Sequence, residues 1–184
     1  GALQFEVGVQ TLDDATARRI SRRQDVARLE DNFKFLRQET GVHVHADLVF
    51  GLPGETLESL ASGFDRLHAM GPEEIQVGIL KRLRGTPIVR HTEAFAMVYS
   101  PYPPYEVLAH STLDFATMRR LTRFAKTWDM IANSGNFFST APRLWQGGRS
   151  PFWSVLTFAD RLGEDDGSTF AIALPRLAEM LFVF

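Results

Sequence analysis

Three short segments alternate apolar and polar residues, and amphipathic helical stretches separate them. In the first, Phe5, Val7 and Val9 alternate with Glu6, Gly8 and Gln10, the period-2 pattern of a strand with one polar face. The second runs from Val42 to Phe50 and the third from Glu74 to Leu80. Between the first two, Asp13 or Asp14 caps a short helix through Ile20. Asp25 caps another helix whose Val26, Leu29, Phe33 and Leu36 share a stripe, and Gly41 ends it. After the turn Gly51-Leu52-Pro53-Gly54, Thr56 caps a helix that carries Leu57, Leu60, Ala61, Phe64 and Leu67 on one face. Gly71-Pro72 stops it. The order strand, helices, strand, helix, strand makes two consecutive crossover units and predicts an α/β fold with a parallel sheet.

The character changes after Arg84-Gly85-Thr86-Pro87. The stretch Tyr99 to Leu108 is rich in proline and tyrosine and reads as an extended connector. Beyond it Phe115, Met118, Leu121, Phe124, Trp128 and Ile131 keep helical spacing. Ser150 to Gly163 starts on a proline and ends on a glycine, and the last stretch is a helix with Pro175 near its start. The expected organisation is a sheet-bearing region over residues 1–90 and a mainly helical extension over residues 91–184.

Composition narrows the partners. The chain has 184 residues, a net charge of -2 and 45% hydrophobic residues, so no bulk charge draws it to nucleic acid or to an anionic membrane. Local basic runs such as Arg18 to Arg23 are candidate anion sites. No signal peptide and no membrane-length apolar run stands out, which makes the cytoplasm the default expectation. There is no cysteine, hence no disulfide, no thiolate nucleophile and no cysteine-held cluster within these residues. The abrupt strand at the start and the closing Leu181 to Phe184 read as an excised piece of a longer protein, with Gly1 foreign to it.

In a sheet of crossover units, ligands sit beyond the carboxyl ends of the strands. One face carries Glu6, Gly8 and Gln10 on the first strand, then His43, His45 and Asp47 with Val49 on the second. The third adds Gln76 and Gly78. A sheet covered by helices on both sides should be apolar on both faces. A polar face suggests a wet barrel interior or a cofactor groove, and the ordinary alternative is an exposed face of a truncated sheet.

The stretches GVQTLDDATARRISR, HADLVFGLPGET and VGILKRLRGTP, in this order, resemble the second half of a radical S-adenosylmethionine (radical SAM) enzyme barrel, its fourth to sixth strands. With LKRLRGTP, PPYEVL and a helical tail containing NSGNF, the longer pattern is similar to an uncharacterised group of putative Fe-S oxidoreductases. Its members join a cobalamin-binding domain to such a barrel and a C-terminal extension.

The resemblance implies a half TIM-like barrel followed by a helical extension. The parent protein would be an enzyme that cleaves S-adenosylmethionine reductively at a 4Fe-4S cluster and passes a radical to an unknown substrate, with cobalamin as a further cofactor. In relatives such as the oxygen-independent coproporphyrinogen dehydrogenases, a glutamine ending the fourth strand helps hold S-adenosylmethionine. An arginine closing the next helix and an aspartate on the fifth strand do the same. The matching residues are Gln10, Arg22 and Asp47, with His45 and Lys81 as neighbours. Arginine suits the methionyl carboxylate in a forked pair, while aspartate and glutamine suit ribose hydroxyls or the amino group. Each also has an ordinary explanation: a solvated strand end for Gln10, a surface arginine beside Arg23 for Arg22, and a cap or ion-pair partner for Asp47.

The departure from the family is the missing CxxxCxxC loop, so this fragment alone is expected to be inactive. The N-terminal half of the barrel is then its first partner, and without it the open sheet edge invites self-association. Two rivals stand beside this. His43, His45 and Asp47 could begin the site of a metal-dependent hydrolase, since imidazoles and a carboxylate suit zinc. The later histidines, His91 and His110, fall in the connector region and not at a strand end. The helical tail could instead be a partner-binding module, with PYPP as a weak docking motif. Lys81, Arg82 and Arg84 could grip an anion or simply be solvated.

Overall fold

The computed structural model describes residues 3–165 and 172–184. They form two compact units, Gly1–Arg119 and Arg120–Phe184. In the first, the order is β1 (Gln4–Gln10), α1 (Asp14–Arg19), α2 (Val26–Glu39), β2 (His43–Phe50), α3 (Leu57–Met70) and β3 (Glu74–Ile79). The sheet runs β1-β2-β3 with both pairs parallel, as two crossover units require. It is an open α/β sheet among the described residues, not a closed barrel.

The helix starts are set by side chains that satisfy otherwise unpaired backbone donors. Asp13 accepts from the Thr16 amide at 2.7 Å and Asp25 from the Arg28 amide at 3.0 Å. Thr56 and Ser59 exchange side-chain and backbone bonds in a capping box. Each such cap stabilises its helix by about 1 kcal/mol.

The register puts Glu6 beside His45 and Gly8 beside Asp47, and on the other side His45 beside Glu74 and Asp47 beside Gln76. One face of the sheet therefore gathers Glu6, His43, His45, Asp47, Glu74 and Gln76. On the opposite face Val44, Ala46, Leu48, Phe50 and Ile75 are buried. α3 contributes Leu60, Ala61, Phe64 and Leu67 to the buried core and α2 contributes Phe33. Burial of each large side chain is worth about 1.5–3 kcal/mol, so this face holds the unit together and leaves the other free for chemistry.

The proline- and tyrosine-rich stretch is more ordered than a connector. β4 (Val98–Tyr99) and β5 (Val107–Ala109) flank it as an antiparallel pair. The Val107 amide donates to the Leu80 carbonyl at 2.8 Å, and Lys81 bridges Glu106. The segment thus returns to the exit of β3. A 3₁₀ turn at Pro87–His91 precedes it.

α4 (Phe115–Trp128) continues into a π-helical turn at Asp129–Asn133. In the second unit a broken 3₁₀ segment, Ala141–Gly148, leads to α5 (Pro151–Asp165), and α6 (Leu174–Val183) follows with Pro175 in its first turn. Leu121, Phe124, Trp128 and Ile131 are buried there, with Phe152, Val155, Leu156 and Leu162 of α5. Phe115, which heads the same predicted stripe, is exposed. The Phe124 and Phe152 rings lie 4.7 Å apart. Asp160 accepts from Arg120 at 2.7 Å and from Arg123 at 3.2 Å. Among the described residues no helix is long and apolar enough to cross a membrane.

Candidate functional site

The polar face of the sheet gathers groups that strand alternation alone places side by side. Asp47 lies in the middle of β2, opposite Gly8. Its Oδ1 is buried and has no hydrogen-bond partner. Burial and the like charge of Glu6 on β1 push its pKa up, against the opposing pull of His45. This is the behaviour of a carboxylate that lacks a full counter-charge. His45 stands one step earlier, with Nε2 at 3.8 Å from Asp47 and Nδ1 at 3.9 Å from Glu74. Its Nε2 is also buried and makes no hydrogen bond. His43 contacts Glu74 at 3.1 Å. Both histidines thus find carboxylates, and among the described residues no group of three or more ligating side chains is arranged to hold a metal ion.

Gln10 reaches the same place by an unexpected route. The register slips between Gly8 and Gln10, and Gln10 has a φ of 69°, a left-handed conformation that is uncommon for a residue with a side chain. The bulge folds its side chain back, so that a Cβ added at Gly8 would stand 2.9 Å from Gln10 Nε2. Gly8 therefore leaves the space that the Gln10 amide occupies, one strand over from Asp47.

Arg22 lies beyond α1 and donates to the Gly8 carbonyl through Nη2 and to Gln24 Oε1 through Nε at 3.1 Å. Gln10, Arg22 and Asp47 thus converge on Gly8 from a strand end, a loop and a neighbouring strand. His45 adjoins them. Lys81 does not: it is exposed, sits past the end of β3, and among the described residues no hydrogen bond or ion pair joins it to this group.

Two carboxyls of the face, Glu6 and Glu74, carry more of its electrostatics than the sequence reading gave them. Glu6 was legible as a face residue, whereas Glu74 required the register of β3. A further buried group escaped sequence reasoning. Glu55, in the turn after β2, is 2% exposed and accepts from Thr11 Oγ1 at 3.0 Å. Burial pushes its pKa up to about 8. His110, 6% exposed, is pushed down to about 4 by the same cause. Thr112 connects their neighbourhoods, lying 3.2 Å from His110 Nδ1 and donating to the Glu55 carbonyl at 2.6 Å.

Residues 93–160 match a family described as a protein of unknown function (DUF4080). No curated protein matches the sequence significantly. Among solved structures, the chain is similar to one described as coproporphyrinogen III oxidase (HemN) from Escherichia coli, a radical SAM enzyme. The TM-score is 0.50 at 20% identity over 72% of this chain. The chain spans 27% of the length of that enzyme. What the two share is the fold: this open parallel sheet with its helices is similar to part of the TIM-like architecture of a radical SAM enzyme.

Proposed function

We propose that the chain is the part of a radical SAM enzyme that holds S-adenosylmethionine on the inner face of its barrel. The observation that carries this reading is the convergence of Gln10, Arg22 and Asp47 on Gly8, beside a buried Asp47 oxygen and a buried His45 nitrogen that lie 3.8 Å apart and make no hydrogen bond. Among the described residues no arginine or lysine is ion-paired to Glu6 or Asp47, whose acidic spot suits the ammonium and sulfonium of S-adenosylmethionine. Asp47 and Gln10 would take the polar hydrogens of the amino group or ribose. Arg22 has N–H donors beyond the two bonds described and would take the carboxylate.

Bound S-adenosylmethionine supplies a radical once its sulfonium is cleaved by an electron from a 4Fe-4S cluster. This chain contains no cysteine and offers that cluster no thiolate, so the cluster would be held by other parts of a longer protein. Cobalamin in the parent, an unknown substrate, the N-terminal half of the barrel as the first partner and a cytoplasmic location belong to the same proposal. Corrinoid absorbance in the anaerobically purified full-length protein would test the cobalamin element.

The direct test is calorimetric titration of the 184-residue chain with S-adenosylhomocysteine and with S-adenosylmethionine. Asp47→Ala should weaken both by roughly tenfold or more, about 1.4 kcal/mol. Because the Asp47 pKa is raised, wild-type affinity for the cationic ligand should fall on acidification at a higher pH than an ordinary aspartate would set. Equal affinity in wild type and Asp47→Ala would remove Asp47 from the site.

A further inference from the structure

The turn that follows β2 holds a carboxyl that the polar face does not use. Glu55 directly precedes the N-cap of α3, yet it is 2% exposed. No cation faces it. Asp13, of like sign, is the charged group whose field reaches it, and the other groups around it are polar and neutral. From the exit of β1 comes Thr11, whose hydroxyl donates to Glu55 Oε1 and accepts from the Asp13 amide at 3.1 Å. From the turn itself come the Gly51 and Leu52 amides. From the segment beyond β5 comes Thr112, which binds the Glu55 carbonyl and touches His110. Glu55 Oε2 is buried without a partner.

Thr11 is the residue after Gln10, and its amide turns back to the Val9 carbonyl at 2.9 Å. A residue with a side chain in the left-handed region is strained and persists only where its surroundings over-determine it. The Thr11–Glu55 bond, which spans 44 positions of sequence, is a tertiary contact acting at that point. We propose that Glu55 is a positioning residue for Gln10. Through the Thr11 hydroxyl it holds the exit of β1 in the bulge that lays the Gln10 amide over Gly8, and Thr112 keeps Glu55 in place. In the ligand site this makes the segment at Thr112 a brace for the cofactor-facing edge, a purpose that rests on the function proposed above.

The bond itself can be tested without any ligand. Amide NMR on the 184-residue chain reads the backbone and side-chain N–H groups of Gln10. Glu55→Gln retains an acceptor oxygen and should leave both in place at neutral pH, whereas Thr11→Val and Glu55→Leu should move both. In wild type these signals should titrate with a midpoint of about 8, because ionisation of Glu55 changes what Thr11 meets. In Glu55→Gln that titration should vanish.

Gln10 signals that ignore Thr11→Val in a folded chain would overturn the proposal, as would an unchanged alkaline titration in Glu55→Gln. If Glu55→Leu does not fold, the other two variants decide. Where S-adenosylhomocysteine binds, Thr11→Val should weaken it by roughly tenfold and Glu55→Gln by less than about twofold, in line with the loss or retention of one hydrogen bond. Failure of wild type to bind counts against the ligand site alone and leaves the NMR outcome standing.

Discussion

Glu55 and Asp47 are both carboxyls in a setting that disfavours charge, yet they differed in how readily the sequence betrayed them. Asp47 alternates with His43 and His45 on one strand, so its face was legible from spacing alone. Glu55 lies in a glycine- and proline-rich turn where an acid is normally solvated, and its partners Thr11 and Thr112 are remote in sequence. Its burial has a measurable consequence. In the folded chain its pKa is raised to about 8 from an ordinary 4.5. Between these values the unfolded chain has lost the proton that the native chain keeps, so stability is fullest below about 4.5 and declines as pH rises towards 8. Glu55→Gln should flatten that decline and be more favourable relative to wild type at pH 8 than at pH 5, as read from urea midpoints at the two pH values. An identical decline in both proteins would show that Glu55 is charged throughout.

At the scale of elements, the helix caps were readable because they are local: Asp13, Asp25 and Thr56 each bond an amide three residues on. The turn between β2 and α3 was readable as a turn, but its tight packing was not. Gly51 has a φ of 87°, and a Cβ there would meet Val107 Cγ1 at 2.6 Å and Met118 Cε at 2.9 Å. Backbone and neighbours therefore both demand glycine. Gly51→Ala should destabilise the chain by roughly 1–3 kcal/mol in chemical unfolding; a loss under about 0.5 kcal/mol would mean that the turn relaxes freely. The same distance in sequence hid β4 and β5. Their ladder joins Val98 to Ala109 across a proline-rich loop, and β5 bonds the Leu80 carbonyl. No short-range periodicity announces either strand.

At the scale of the whole molecule, β1 lies at an edge of the described sheet. Leu3 and Phe5 are exposed along it, at 66% and 44%, and an edge with apolar side chains is a template for another strand. The chain should therefore self-associate with rising concentration in sedimentation velocity. Phe5→Lys should shift it towards the monomer without altering the helical signal in circular dichroism. A monomer at all concentrations in wild type would show the edge to be protected.

From β1 to β3, the order of strands and helices, the parallel pairing and the division of the sheet into a polar and an apolar face were determined by the sequence alone. They follow from periods of two and 3.6 and from caps within a few residues, all of them local. The meeting of Gln10, Arg22 and Asp47 at Gly8, the pairing of His43 and His45 with Glu74, and the buried Glu55 were decided only by the tertiary structure. Each depends on register, on a bulge at Gln10, or on burial by segments far along the chain, and a buried acid takes its charge state from neighbours that no local pattern names.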